Sequence, residues 1–549
     1  MRRILSRWLL TATVACCATV LAQPTAPDAA ASSAYIVQSR GTQSAVRIVK
    51  RVGGRITHEL AIIHGVSAML TPAQAARLRQ LGTVDLFADS TVVTQDHEGS
   101  SYSRSSYSGS GGGYTSPSVP NQDARVEIGA DRLGAQGLNG TGVTVAVLDS
   151  GLPPSWVQYA QSNNMGLVAY SADGSPFQDL SGHGSHVTTI VANPIRSANG
   201  QPLGIAPGVR LVSVKAFDAN GTSTYTTVLN GLNWIFANRA AYNIRVLNLS
   251  FAAKSQSFYW NDPIDQAVMQ LWQAGVVVVA SAGNWGPTAQ TIGVPGNVPY
   301  IITVGAMTDN YTPTNPLGWR LTSFSSTGPT FEGFVKPEIL APGGHIIGIM
   351  EPTTALLARL HPTFQLPVDN LYVMSGTSQA AAVASGSVAL MLQANPALTP
   401  DQVKCRLMAS AHPAVDPTNQ PAYSVFQQGA GEINVYDAVY SQGIGCANVG
   451  LNIAADLAGT AHFAGPARQA ADGSYYIVDQ NGLPINQQGY LWNNTYLASS
   501  GNLWSSGYLW NNGYLWNNGY LWNNGYLWNE STTASPAAAA AINDWVGQE

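Results

Sequence analysis

Residues 143–151 read VTVAVLDSG, and this stretch decides the fold. Its first six residues are apolar or β-branched without alternation, as expected of a strand that a parallel sheet buries on both faces. Similar stretches follow at 209–214, 244–249 and 276–280. Helical patterns, for instance at 228–240 and 263–274, lie between them. The sequence therefore predicts an α/β domain, doubly wound around a mostly parallel sheet.

Composition limits the classes of protein that this chain can belong to. It has 549 residues, of which 45% are apolar and 10% charged, with a formal net charge of −5. The length predicts more than one folding unit, and the apolar fraction is ample for a large core. Because no basic field is present, nucleic acid and anionic membrane surfaces are excluded as expected partners.

The N-terminus has the pattern of a secretory signal peptide, which we expect to span residues 1–22. Arg2 and Arg3 precede a short apolar run that ends at Ala22. A secreted or extracytoplasmic protein is therefore predicted, with a membrane anchor or, through Cys16, a lipoprotein as alternatives.

Once the signal is removed, two cysteines remain, Cys405 and Cys446. In an oxidising compartment they are expected to form a disulfide, the alternative being two buried thiols.

Residues 35–95 read as a small α+β unit. Strands are predicted at 35–37, 45–49 and 84–93. The segment 71–78 begins with Thr, Pro and, three residues after the Thr, Gln, which predicts a capped helix. Residues 99–122 are almost all Ser, Gly, Tyr and Pro and are expected to be a flexible linker.

Near the C-terminus the hexapeptide GYLWNN repeats almost without change from Gly489, Gly507, Gly513, Gly519 and Gly525, with a ragged copy from Gly501. In a strand Tyr and Trp fall on one face and Leu on the other, and Asn-Gly favours tight turns. Very short strands and turns are expected across 489–530, with disorder as the alternative. Stacked aromatic rings suit polysaccharide, cell-wall polymer or self-association.

Four segments carry groups suited to acyl transfer. Asp149 ends the first predicted strand, where a carboxylate can orient an imidazole. His183 lies in the first turn of a predicted helix. Ser378 begins another helix, where its own N–H and the helix dipole can stabilise an oxyanion. Asn284 follows a strand and can donate its amide to the same oxyanion. Each residue alone has a common structural role, such as capping, so the case depends on all of them.

These segments resemble the signatures of the subtilisin-like (subtilase) serine peptidases, in the chain order Asp, His, Asn, Ser. The matching motifs are DSG at 149–151, HGSH at 183–186, AGN at 282–284, GTS at 376–378, FSSTGP at 324–329, KPEILAPG at 336–343 and GAGEIN at 429–434. The resemblance covers about residues 123–440. The sequence departs from the family pattern at Ser185, Thr188, Thr189, Ala252, Gln379 and Ala382.

The resemblance implies a self-processing serine endopeptidase that acts on protein or peptide substrates. It assigns Asp149, His183 and Ser378 as the triad, and Asn284 with the Ser378 N–H as the oxyanion hole. The residues it assigns to substrate binding are Ser250, Phe251, Ala252, Ser281, Ala282 and Gly283. No cofactor is required for catalysis, and structural calcium is an expectation without assigned ligands or any predicted metal-binding residue.

The resemblance also implies an inhibitory propeptide before the catalytic domain, carried here by HGVSAMLT at 64–71. The predicted organisation is signal peptide 1–22, propeptide 23–98, linker 99–122, subtilisin-like peptidase domain 123–446, C-terminal extension 447–488, aromatic repeats 489–530 and tail 531–549.

Three other interpretations are weaker. An α/β-hydrolase esterase requires Gly-x-Ser-x-Gly, but residue 380 is Ala, and the acid and His would have to follow the Ser. An inert scaffold that binds through its repeats would not need all four chemical groups. His183 and His186 could ligate a metal, yet the zinc-protease order His-Glu-x-x-His is missing, which favours a packing role for His186.

Overall fold

The computed structural model describes residues 31–94, 119–315, 319–368, 370–414, 422–478, 482, 484–486 and 514–515. The predicted signal peptide, most of the linker, the tail and nearly all of the repeats lie outside these residues. Within the described part of the chain, no helix is both long enough and apolar enough to cross a membrane.

The strands are β1 (Ser33–Gln38), β2 (Arg55–Leu60), β3 (Gly65–Leu70), β4 (Asp85–Ala88), β5 (Thr91–Thr94), β6 (Thr144–Asp149), β7 (Leu167–Ser171), β8 (Arg210–Lys215), β9 (Thr222–Thr224), β10 (Ile244–Leu249), β11 (Phe251–Ala252), β12 (Val277–Ser281), β13 (Ile302–Thr308), β14 (Arg320–Leu321), β15 (Ile339–Pro342), β16 (Ile346–Ile349), β17 (Leu371–Met374), β18 (Phe463–Ala464), β19 (Ala467–Gln469), β20 (Tyr475–Val478), β21 (Pro484–Asn486) and β22 (Tyr514–Leu515).

The α-helices are α1 (Thr42–Arg51), α2 (Pro72–Leu81), α3 (Ala124–Glu127), α4 (Ala130–Ala135), α5 (Pro154–Ser162), α6 (His183–Val191), α7 (Tyr225–Asn238), α8 (Pro263–Gln273), α9 (Leu356–Leu360), α10 (Thr377–Ala394), α11 (Pro400–Ser410), α12 (Val425–Gln428), α13 (Val435–Tyr440) and α14 (Ile453–Leu457).

The central sheet has the order β14-β13-β12-β10-β6-β8-β7, and β15 also pairs with β13. Every neighbouring pair is parallel except β13 with β14. The chain adds β8 and β7 on one side of β6 and then continues with β10 on the other side, so the winding reverses at β6. The predicted doubly wound, mostly parallel α/β sheet is confirmed, because the four buried stretches form β6, β8, β10 and β12.

The N-terminal unit, residues 31–94, contains an antiparallel sheet in the order β2-β3-β1-β4. The prediction of a strand at 45–49 is wrong, because this segment lies inside helix α1. Ala45, Val46 and Val49 are buried on one side of that helix, a spacing that is helical rather than alternating. Packing of this apolar face overrides the strand preference of the β-branched residues. The predicted cap of α2 is confirmed, since Thr71 and Gln74 form a capping box.

Strand β5 leaves the sheet of the N-terminal unit and pairs with the catalytic region instead. It lies between β9 and β11 and is antiparallel to both. Side-chain contacts reinforce this docking, because Ser67 Oγ lies 2.7 Å from Thr226 Oγ1 on α7 and Gln38 Nε2 donates to Gln266 Oε1 on α8 at 2.6 Å.

The described part of the predicted C-terminal extension packs on the same core as the central sheet. Phe463, Ala467 and Ile477 are buried and belong to the hydrophobic cluster that includes the sheet strands. Helix α14 packs against α8. Residues 447–478 are therefore continuous with the peptidase core rather than an appendage to it.

The predicted disulfide between Cys405 and Cys446 is formed, with Cα atoms 5.1 Å apart and a sequence separation of 41. It ties α11 to the segment that enters the C-terminal extension. Closing a loop of this length restricts the unfolded chain and stabilises the fold by about 4 kcal/mol.

Replacing both Cys405 and Cys446 with Ala is expected to lower the free energy of unfolding by about 4 kcal/mol. The measurement is urea denaturation in the Ser378→Ala background, which excludes self-digestion. A reducing agent should destabilise the parent chain by a similar amount and leave the double variant unchanged. Equal stability of parent and double variant would contradict the prediction.

Candidate active site

The site lies where the winding of the central sheet reverses. Asp149 ends β6, and Ser250 directly follows β10, the strand paired with β6 on the other side from β8. At such a switch point the connections leave the two strand ends on opposite faces of the sheet, which opens a crevice. The sheet topology alone therefore brings two of the predicted site residues to one crevice.

Asp149 and His183 form a buried pair. Asp149 Oδ1 lies 2.6 Å from His183 Nδ1, and the side chains are 2% and 0% exposed. His183 opens helix α6, as predicted. Gly184 allows this approach, because a Cβ atom there would lie 2.7 Å from the backbone of Gly151. The packing of α6 on the Asp149 loop therefore requires a glycine at this position.

The charge of Asp149 depends on its neighbours. Burial raises the pKa of the Asp149 carboxyl, while the His183 imidazole and the Ser150 N–H lower it. The Ser150 N–H donates to Asp149 Oδ1 at 2.7 Å. A carboxylate so placed holds the imidazole in one tautomer and stabilises the imidazolium when the ring takes up a proton.

Ser378 lies in the first turn of α10, which packs against α6. Its hydroxyl donates to the carbonyl oxygen of Ser250 at 3.1 Å, and the Ser250 hydroxyl donates to the Ser378 carbonyl at 3.0 Å. Asn248 on β10 continues this link, since it donates to Ser250 Oγ and accepts from Ser385 Oγ on α10. The nucleophile candidate is therefore joined by hydrogen bonds to the end of β10.

Asn284 is anchored through one end of its side-chain amide. Its Oδ1 accepts the backbone N–H of Thr377 at 3.0 Å and the Thr377 hydroxyl at 2.7 Å. Because both bonds use Oδ1, they orient the amide and leave Nδ2 on the opposite side of the group. Thr377 directly precedes Ser378, so the amide donor is held beside the nucleophile candidate.

The predicted substrate-binding residues lie on two neighbouring segments. Phe251 and Ala252 form β11 and pair with Thr94 and Val93 of the N-terminal unit. Ser281 Oγ donates to the Phe251 carbonyl at 3.3 Å, which connects β12 to β11. Ala282 and Gly283 follow, and the Gly283 N–H points to Thr377 Oγ1 at 3.3 Å. The structure thus brings both segments to the start of α10, because Gly283 contacts Thr377 and because Ser250, which precedes β11, is hydrogen-bonded to Ser378.

Asp179 is a buried carboxylate that the sequence prediction did not single out. Its Oδ1 accepts the N–H groups of Ser181 and Gly182 at 3.0 and 2.8 Å. Its Oδ2 accepts the N–H of Ser185 at 2.8 Å and the Ser185 hydroxyl at 2.5 Å. A carboxylate here satisfies N–H groups at the start of α6 and interacts favourably with the helix dipole. Asp179 therefore fixes the first turn of the helix that carries His183.

The same carboxylate reaches the loop after Asp149. Ser150 Oγ donates to Asp179 Oδ1 at 2.8 Å and accepts the N–H of Gly184 at 2.8 Å. One carboxylate and one hydroxyl thus connect the two segments that carry the Asp149–His183 pair. The N-cap residue of α6 is Gly182, so no capping pattern marks Asp179 in the sequence, and only its closeness along the chain to His183 points to it.

Several departures from the family pattern have structural partners. Ser185 donates to Asp179, and Thr189 Oγ1 donates to the Ser185 carbonyl at 2.8 Å and accepts the N–H of Ile349 at 2.9 Å. His186 is fully buried, and its Nε2 lies 3.2 Å from the Tyr372 carbonyl, in keeping with the packing role predicted for it.

The described residues contain no cluster of the side chains that most often bind metal ions. No three His, Cys, Asp or Glu side chains there converge as they would around an ion. Backbone and amide carbonyl oxygens can also bind calcium, so structural calcium stays an expectation without assigned ligands.

Replacing Asp179 with Asn is expected to lower kcat by about 10²-fold with little change in KM. The reason is that the His183 imidazole, once displaced, is no longer oriented to accept the proton of the Ser378 hydroxyl. The matched control is Asp173→Asn, which removes an acid paired with Lys215 at 2.5 Å. Steady-state kinetics on a peptide amide, with the rate of fluorophosphonate labelling, make the measurement. A kcat equal to that of the control would contradict the positioning role.

Comparison of the sequence with known proteins identifies the family of this chain. The sequence profile of the Subtilase family matches residues 140–431. The chain is 37% identical over 279 residues to Serine protease AprX of Bacillus subtilis (strain 168), covering 49% of this chain and 61% of that relative. It is 32% identical over 317 residues to Subtilisin of Bacillus pumilus, covering 57% of this chain and 96% of the relative.

A third relative matches over a longer stretch of the chain. The chain is 28% identical over 386 residues to Subtilisin amylosacchariticus of Bacillus subtilis subsp. amylosacchariticus, covering 69% of this chain and 84% of the relative. The profile covers more than half of the chain, and it spans all four segments that carry the predicted chemistry. The chain belongs to the subtilase family of serine endopeptidases.

Proposed function

We propose that this chain is a secreted serine endopeptidase made as a self-processing zymogen. Asp149, His183 and Ser378 form its triad, and Asn284 with the Ser378 N–H forms its oxyanion hole. The substrates are proteins or peptides bound as an extended strand. Secretion rests on the predicted signal peptide, and the inhibitor is the chain's own propeptide, predicted at 23–98.

The proposed mechanism is acyl transfer in two steps. His183 takes the proton of Ser378 as the Ser378 oxygen attacks a peptide carbonyl. Asp149, 2.6 Å from the imidazole, stabilises the positive charge that forms. Asn284 and the Ser378 N–H donate to the oxyanion, and His183 returns the proton to the leaving amine. In the second step water takes the place of the amine. His183 takes a proton from this water as it attacks the acyl group, and returns the proton to the Ser378 oxygen as the acid leaves.

One observation carries this proposal: strand β5 of the N-terminal unit lies between β9 and β11, and β11 directly follows Ser250, whose carbonyl accepts the Ser378 hydroxyl. We assign the position of β5 to a bound peptide substrate. The backbone of β5 pairs with β9 and β11, and the Thr94 N–H donates to the Gly221 carbonyl at 2.9 Å. Val92 is fully buried in this position. An added strand of this kind is recognised through its main chain, which suits a protease that accepts many sequences.

The register of β5 supports a place for self-cleavage. Thr94 lies opposite Phe251, so a continued strand would bring the next residue opposite Ser250, whose carbonyl accepts the Ser378 hydroxyl. We therefore assign the processed bond to the few residues that follow Thr94. N-terminal sequencing of the mature enzyme tests this assignment.

Replacing Ser378 with Ala is expected to abolish casein cleavage and to leave the chain unprocessed, because no hydroxyl remains to attack. The control is Ser387→Ala, on the same helix, whose hydroxyl donates to the Val383 carbonyl at 2.9 Å. Casein hydrolysis and intact mass make the measurement. Self-maturation of the Ser378→Ala chain would show that the triad assignment is wrong.

Replacing Thr94 with Pro is expected to slow self-processing by at least about tenfold, because it removes the N–H that bonds Gly221. Thr94→Val is the control, since it keeps the N–H and the shape and loses only the hydroxyl. Processing is followed by mass spectrometry after refolding. Equal processing rates for the two variants would argue against β5 as the segment that presents the cleaved bond.

A further inference from the structure

Four aromatic rings from three parts of the chain form a continuous row, which we call the aromatic ladder: Phe331, Phe258, Trp260 and His462. The last three are stacked, and Phe331 is tilted by 44° against Phe258. Phe258 and Trp260 are parallel with ring centres 4.4 Å apart, and Trp260 and His462 are parallel at 4.7 Å. Phe331 meets Phe258 at 5.6 Å and is 36% exposed. The ladder thus joins the peptidase unit to the C-terminal extension at the protein surface.

A buried carboxylate, Asp456, positions the His462 ring of the ladder. Asp456 is 2% exposed, and its Oδ1 lies 2.7 Å from His462 Nδ1. Its Oδ2 accepts the hydroxyls of Tyr259 at 2.6 Å and Tyr300 at 2.9 Å. Rigid aromatic surfaces of this kind lose little conformational entropy on binding another ring.

The strand next to the ladder already contacts the hexapeptide repeats. His462 is followed by β18, where Phe463 pairs with Leu515 and Ala464 with Tyr514 in an antiparallel register. Among the described strands, β18 pairs with β22 alone. Tyr514 and Leu515 belong to the repeat copy that begins at Gly513.

We propose that the GYLWNN repeats of residues 489–530 dock on their own protein, one copy adding a strand to β18 and stacking Tyr and Trp rings on the aromatic ladder. The chain can reach this surface, since 27 residues separate Asn486, the end of β21, from Tyr514. The backbone pairing gives the copy its direction, and ring stacking is the interaction that Tyr and Trp form best. The repeats are then an intramolecular partner of the surface formed by β18 and the ladder.

The experiment is hydrogen exchange, read by mass spectrometry, on the full chain in the Ser378→Ala background. The parent is compared with a chain in which Tyr, Leu and Trp of all repeat copies are replaced by Ser, and with Trp260→Ala. Trp234→Ala is the matched control, because Trp234 stacks between Tyr170 and Tyr242 in a different aromatic row. Peptides over β12 report whether each variant keeps its core.

Exchange over residues 460–467 is expected to become at least about tenfold faster in the repeat variant and in Trp260→Ala, and to stay unchanged in Trp234→Ala. Unchanged exchange in the repeat variant, with β12 still protected, would overturn the proposal. Protection that grows with protein concentration, together with association in light scattering, would also overturn it, in favour of repeats that bind a second copy.

Discussion

The buried contact between Asp149 and His183 is the constraint on which the site depends. A carboxylate taken out of water is costly unless its partners are supplied, and here they are the imidazole and the Ser150 N–H. The contact requires α6 and the loop after β6 to approach at backbone distance. Gly184 removes the side chain that would prevent it, and Asp179 holds both segments through hydrogen bonds. The geometry of the Asp149–His183 pair thus depends on two residues outside the pair, Gly184 and Asp179.

The place of β5 beside β9 and β11 also depends on unpaired strand edges. Strands β9 and β11 present backbone N–H and C=O groups that need partners, and β5 supplies them. A substrate that displaces β5 would meet the same groups. The pairing of β5 with β9 and β11 therefore runs through the main chain, and the docking of the N-terminal unit on α7 and α8 keeps β5 close to them.

Much of the central fold could be predicted from short patterns. Continuous apolar stretches identified β6, β8, β10 and β12 to within one residue at their ends, because strands buried on both faces carry a signal that depends only on their own residues. The helix starts at His183 and near Ser378 were predicted from small residues before apolar spacing. The segment 45–49 was assigned wrongly, since β-branched residues on a helix face resemble a strand when the facing core is unknown.

The sequence by itself determined the candidate reacting groups and their order along the chain, since Asp149, His183, Asn284 and Ser378 each stand in a local motif. Tertiary structure alone decided how they meet and what surrounds them. Asp179 bridges two segments, and β5 leaves the sheet of the N-terminal unit to pair with β9 and β11. Asp456 supports the aromatic ladder, whose rings come from three regions of the chain. These contacts join residues far apart in the chain, so no short pattern encodes them, and only packing selects them.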